Sequence, residues 1–308
     1  MTGRNPRGGA PINLLPRSAY PATVPPAKDK ADMDRVEHIK PDFPADAFAG
    51  TASYYVRYRV PYPEALLRDL TGKAAVAGDG RLLDLACGPG RVALDLAPSF
   101  REVRAIDLEP EMVEAGRNEA ARRGVSNVGW TVGKAEELKA PAASFELITI
   151  GDAFHRLDQE LVARRALDWL RPRCCLAILG SSHGLLGGKE PWQRTVAGIV
   201  RRWTGRNPSP GAALGRPVPG SSPEHAERVL REAGFEDVAS HRHFEPHDWT
   251  IEAIAGFLYS TSVCSKNVLG ANAGPFEQEL RAALLAHDPG GTYRDVIRFG
   301  FSLGRKKA

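Results

Sequence analysis

The sequence predicts an α/β protein, a doubly wound sheet of seven mostly parallel strands with helices on both faces. Three observations carry that expectation. Short apolar runs alternate with amphipathic segments from Arg81 to about Gly180. The first run, RLLDL, breaks at once into Ala86-Cys87-Gly88-Pro89-Gly90 and a helix start, the pattern of strand, glycine turn and helix. The alternation stops at Ser181 and the chain closes on RDVIRFGFSL, a period-two segment near 294–303.

The elements follow in order. Residues 1–40 are rich in Pro, Gly and Arg, lack the apolar core of a signal peptide, and read as a flexible tail. Gly50 to Leu70, GTASYYVRYRVPYPEALLRDL, is aromatic and helix-prone, interrupted at Pro61 and Pro63, and a helix from Tyr62 to about Gly72 leads into the first strand. Strands are expected at 81–85, 103–107, 127–132, 145–150 and 174–180. Helices are expected at 89–98, 110–123 and 158–170, with Pro110 near a helix start, where proline is tolerated. Ser181 to Ser222 is too long for a plain connection and reads as an insertion over the mouth of the site. A helix at 223–233, a strand at 235–244, helices at 250–260 and 275–286 and the last strand complete the chain. The organisation expected is a tail at 1–40, a core with N-terminal lid helices at 41–180, a helical cap at 181–222 and a completing segment at 223–308.

The glycine turn is the place for a ligand. Gly88 and Gly90 lack a Cβ, and the helix that follows offers unpaired N–H groups. Gly88, Gly90 and Ala93 also fit the dinucleotide pattern G-x-G-x-x-G/A. Two details count against a pyrophosphate: Asp84 would repel it, and Pro89 has no N–H to donate. A cationic ligand carrying an amino group and a sulfonium suits an acidic strand end better. Asp107 stands roughly 20 residues beyond the turn, the spacing of a carboxylate that holds ribose hydroxyls. The bland alternative makes it a helix cap.

At these residues the chain resembles the class I S-adenosylmethionine (SAM)-dependent methyltransferases, in their small-molecule, type 11-like branch. LLDLACGPG is similar to the family's first motif, AIDLEPEM to its second, WTVGKAEEL to its adenine-contacting segment and FELITIGDAFHRLD to its fourth strand and turn. The resemblance spans about residues 50–180 well and the remainder loosely. It implies a Rossmann-like sheet with an antiparallel last strand, and SAM as cofactor. It implies cofactor contacts from Asp84, Ala86, Gly88 and Gly90, from Asp107, Leu108 and Met112, from Ala135 and Glu136, and from Gly151. Ala86 stands where many relatives have glycine. Lys134 stands where many have Asp, so either Glu136 supplies the acid or the adenine contact is backbone only. Tyr55 and Arg59 belong to an aromatic lid segment, with tyrosine faces near the sulfonium and Arg59 near the cofactor carboxylate. His155 follows the fourth strand and is the candidate catalytic group, as base or as orienter of the acceptor.

Composition narrows the partners. The chain carries 41 basic and 37 acidic residues, a net charge of +4, too mild to imply nucleic acid. No run could span a bilayer. Cys87, Cys174, Cys175 and Cys264 form no metal pattern, and the adjacent pair should face opposite sides of a strand. His183 reads as an ordinary loop histidine. His241 and His243 share a face without a second ligand cluster, so no metal is expected. The expected protein is a cytoplasmic enzyme with a small-molecule acceptor, open to homo-oligomer formation. The rivals are a SAM-fold protein that uses the cofactor without transfer, a nucleotide-dependent oxidoreductase, and an RNA or protein methyltransferase.

Overall fold

The structure, a computed structural model, describes residues 47–205 and 222–308. The expected tail at 1–40 and positions 206–221 of the expected cap lie outside the described residues.

Helix α1 (Ala52–Tyr58) and helix α2 (Glu64–Ala74) precede the sheet. Alternation then runs through β1 (Arg81–Leu85), α3 (Arg91–Leu96), β2 (Glu102–Asp107), α4 (Pro110–Arg123), β3 (Val128–Val132), β4 (Phe145–Gly151), α5 (Gln159–Trp169) and β5 (Leu170–Ser182). Helices α6 (Pro191–Thr204) and α7 (Pro223–Ala233) lead to β6 (Glu236–Thr250). Then α8 (Ile251–Tyr259), α9 (Lys266–Leu269) and α10 (Ala273–His287) connect to β7 (Thr292–Arg305). The seven strands form one sheet in the order β3-β2-β1-β4-β5-β7-β6. β1 to β5 are parallel, and β7 runs antiparallel to both neighbours. The expected fold class is the observed one.

Two apolar layers cover the sheet. Leu82, Val103, Leu147 and Cys175 face one layer with α2 and α3, while Leu83, Ile148 and Leu176 face the other with α5 and α7. Their alternation is the period of two that a doubly covered strand imposes. Cys174 packs on the second layer and Cys175 in the first, on opposite faces as their adjacency requires.

The chain departs from its sequence reading at the β5–β7 end. Residues 191–204, within the expected insertion, form a helix started by a reciprocal capping box between Glu190 and Gln193. Its Trp192 meets Tyr293, and its Trp203 donates to Glu279 of α10 at 2.7 Å. Strand β6 continues beyond its expected end at 244 to Thr250, paired with β7 as an edge ribbon past the end of β5. Residues 251–291 between these strands carry three helices, the short α9 included, which the sequence reading omitted. No helix among the described residues is long and apolar enough to cross a membrane.

Candidate cofactor site

β1 lies between β2 and β4, so the strand order reverses direction there. The carboxyl ends of β1 and β4 border the crevice where open α/β sheets take ligands. After β1 the chain turns through left-handed backbone at Ala86 (φ +50°), Gly88 (φ +56°) and Gly90 (φ +77°). Ala86 holds this geometry with a Cβ, at a cost of about 1 kcal/mol that glycine would avoid.

Four amides of this turn and the helix start are already committed. Cys87 N–H donates to Ile106 O at 3.0 Å and Gly90 N–H to Cys87 O at 3.0 Å. Gly88 N–H donates to Asp107 Oδ2 at 2.7 Å, and Ala93 N–H to Asp84 Oδ2 at 3.2 Å. Pro89 has none to offer. A diphosphate drawing on the Gly88 and Ala93 amides would have to displace two carboxylates from them.

Gly90 has a second reason to be glycine. A Cβ there would stand 2.3 Å from the Trp130 ring, and one at Gly116 of α4 would stand 2.4 Å from it. The indole of β3 is wedged between the two helices' glycines.

Asp84 is 1% exposed, with Oδ1 accepting the Thr149 hydroxyl at 2.7 Å. Burial pushes its carboxyl up to about 7, against the two hydrogen bonds and with added repulsion from Asp107. Asp107 accepts Glu109 N–H at 2.9 Å on Oδ1, beside the Gly88 bond on Oδ2. Each of its oxygens keeps lone-pair capacity for a hydroxyl. Burial raises its pKa, opposed by these backbone bonds. Leu108 next to it is 39% exposed, an apolar surface at the strand end, while Met112 and Ala135 are buried.

Across the crevice, Asp152 follows Gly151 in left-handed backbone (φ +53°). Its carboxylate accepts the Tyr62 hydroxyl at 2.7 Å, the Ser181 hydroxyl at 2.8 Å and the Ser181 amide at 2.6 Å. It thereby joins the leading segment, β4 and β5. Between these walls lies a narrow cleft of about 10 Å³, lined by Asp84, Ala86, Gly151 and Asp152 and by Tyr55, Tyr62 and Arg91. That is room for about one water, where a ligand pocket has about 300 Å³ or more, so binding a ligand requires these walls to part. Tyr55 and Tyr62 close it from the side of the leading segment.

Two expected contacts also have partners within the chain. The Arg59 guanidinium donates to Ser260 Oγ at 2.8 Å and Ser260 O at 3.2 Å. It is stacked between the rings of Tyr55 and Phe257, 4.7 and 4.6 Å from their centroids. Arg59 therefore staples the leading segment to the end of α8 through Nε and Nη2. Glu136 accepts the Asp158 amide at 3.0 Å on Oε1, so one of its oxygens braces the turn before α5. α1 is also docked on α8: Arg57 and Tyr58 reach Glu252, each at 2.8 Å, and Tyr54 meets Tyr259 edge-on.

His155 sits half-buried in the short turn Phe154–Arg156 after β4. Burial and the neighbouring Arg156 charge hold its pKa below the usual value, so the imidazole is neutral at pH 7. His183 lies edge-on to Phe257 at 4.4 Å, and its Nδ1 is buried with no hydrogen-bond partner among the described residues. Burial pushes it down to about 4. His241 packs on Phe301, His243 stands 3.5 Å from Asp69, and His247 packs on Trp249. Among the described residues no three His, Cys, Asp or Glu side chains converge as metal ligands. Burial also raises the Cys87 thiol, which disfavours a reactive thiolate there.

The sequence reading passed over Arg91, Thr149 and the partners of Asp152. The signal for Arg91 was its place directly after Gly90; the Tyr62–Asp152 bond had none, since it joins positions 90 apart.

Residues 82–173 match the family model of a methyltransferase domain. The uncharacterized methyltransferase YcgJ of Bacillus subtilis is 38% identical over 82 residues, covering 27% of this chain and 32% of its own. Its solved structure superposes at a TM-score of 0.51 and 19% identity, covering 80% of this chain and 100% of that one. Aklanonic acid methyltransferase DauC of Streptomyces sp. is 33% identical over 105 residues, 33% of this chain and 48% of DauC. The uncharacterized RNA methyltransferase BH0897 of Halalkalibacterium halodurans is 38% identical over 73 residues, 24% of this chain and 16% of that protein. The chain thus spans from about a sixth to about half the length of these curated relatives.

Proposed function

We propose that this chain, whose residues 82–173 match a methyltransferase domain, is a class I SAM-dependent enzyme that binds SAM in the cleft between β1 and β4 and methylates a small organic acceptor. The observation that carries the cofactor reading is the commitment of the turn amides to Asp84 and Asp107. It leaves a wall of carboxylates, which favours a cationic nucleoside over a diphosphate and argues against the oxidoreductase reading.

Bound there, the cofactor would supply a methyl group activated by a positive sulfur. Asp107 accepts ribose hydroxyls on its open lone pairs, and exposed Leu108 gives the adenine an apolar surface. Ionised Asp84 holds the ammonium end. Tyr55 and Tyr62 cover the cleft, the latter fixed by Asp152, and exclude water from the reacting atoms. His155, neutral at pH 7, orients the acceptor or takes its proton when the nucleophile is a hydroxyl or carbon acid.

The acceptor is read as small, with natural products as candidates. The aromatic leading segment docked on α8 supports an enclosed site, as does the similarity to DauC, whose name gives a small organic acid. The net charge of +4 favours this over an RNA acceptor. The four cysteines are free, in keeping with a reducing, cytoplasmic setting.

The test is to incubate the full chain with SAM and separate pools of phenols, carboxylic acids, amines and bulk RNA, detecting S-adenosylhomocysteine (SAH) by mass spectrometry. SAH formed with a small-molecule pool supports the reading. SAH formed with RNA alone overturns the acceptor class, and SAM binding without turnover supports a binding-only protein.

A further inference from the structure

Arg91 opens α3 directly after Gly90. Its guanidinium carbon lies 5.2 Å from the centroid of the Tyr62 ring. Its Nη2 is shut off from solvent and has no hydrogen-bond acceptor among the described residues. Leaving a buried guanidinium N–H unmade is costly, so an unsatisfied one in a cleft points to a missing acceptor.

The surroundings say what kind of acceptor. Arg91 shares the cleft wall with Asp84 and Asp152, yet pairs with neither. Asp84 is taken up by Thr149 and Ala93, and Asp152 by Tyr62 and Ser181. The neighbouring Arg59 gives its Nε–H and one Nη2–H to Ser260, and its Nη2 is not shut off from acceptors as that of Arg91 is. One small volume therefore presents an unsatisfied Nη2 on one wall, and the buried Asp84 and half-buried Asp152 carboxylates on the others. A zwitterion matches it, and an α-amino acid group carries both charges about one carbon apart.

We propose that Arg91 is the residue that binds the α-carboxylate of the cofactor's amino-acid end, with Asp84 facing the α-ammonium. The assignment rests on the SAM reading above and takes over the role that the sequence gave to Arg59. The Tyr62 ring, fixed through Asp152, holds the guanidinium in place, so the site discriminates for ligands that carry the carboxylate.

The experiment is calorimetric titration of the full chain, as wild type, Arg91→Met and Arg91→Lys, with SAH and with its decarboxylated analogue, which keeps the amine. Wild type should bind SAH about 10- to 100-fold more tightly than the analogue, the range of one charge-assisted bond. Arg91→Met should bind the two alike, at the affinity wild type shows for the analogue, and Arg91→Lys should recover part of the difference. Equal SAH affinity in wild type and a folded Arg91→Met overturns the assignment and leaves the cofactor reading standing. An equal loss for both ligands makes Arg91 structural and also overturns it. No SAH binding by wild type overturns the cofactor reading and the assignment together.

Discussion

Replacing Asp84 by Asn should stabilise the ligand-free protein while it destroys the site. Asp84 is 1% exposed, and its carboxyl is lifted from 3.8 to about 7 by burial. That difference corresponds to about 4 kcal/mol against the ionised form above pH 7. The sign follows from linkage: a carboxyl raised in the folded state costs stability as pH climbs from about 4 through 7, and the cost disappears on acidification. Asn is neutral and keeps the shape; its amide oxygen can accept Ala93 N–H while the Thr149 hydroxyl turns to accept its NH₂. With imperfect bonds recovering about half the cost, roughly 2 kcal/mol remains, or about 4–8 °C in melting temperature. Melting curves of wild type and Asp84→Asn at pH 8 and pH 5 measure it. The variant should melt higher at pH 8, the gap should shrink towards pH 5, and SAH affinity at pH 8 should fall at least tenfold. A variant that melts lower at pH 8, or an offset equal at both pH values, refutes the reasoning.

Ala86→Gly should raise stability by up to about 1 kcal/mol, because the left-handed backbone at φ +50° no longer carries a Cβ; denaturant titration checks it. Gly116→Ala should cost about 1–3 kcal/mol through the 2.4 Å approach to Trp130, and the same change in a Trp130→Ala background should cost under about 0.5 kcal/mol. For His155, whose pKa is depressed by burial and Arg156, turnover that relies on the neutral ring should persist below pH 6.5 and fall only on further acidification. His155→Ala should lower turnover and remove that acid limb; unchanged turnover rules His155 out as an essential base.

The legible parts of the chain were local. RLLDL followed by a glycine turn marks a strand, a left-handed bend and a helix within ten residues, and the structure has all three. Asp107 was found by spacing, because the length of one α3–β2 unit is nearly fixed. What escaped was set by tertiary distance. The bond of Arg59 to Ser260, 201 positions later, leaves no local signal. Helix α6 falls within the helical cap expected at 181–222, but its bounds are blurred by the glycines and prolines around Trp192, Val196, Ile199 and Val200, whose helical spacing is sound. Pro246 hid the second half of β6, since proline argues against a central strand; β6 is an edge, so the missing donor costs nothing there. The strain at Asp152 and the wedge of Trp130 between two glycines need coordinates, for neither leaves a periodic mark.

The central claim is that the acid-lined bend between β1 and β2 holds a cationic nucleoside, and a crystal structure of the full chain grown with SAH and NAD together tests it most directly. SAH should appear there with its ribose on Asp107, its adenine beside Leu108 and its amino-acid end between Arg91 and Asp84. NAD density along residues 86–90, with Gly88 and Ala93 turned from the carboxylates to the pyrophosphate, would contradict it.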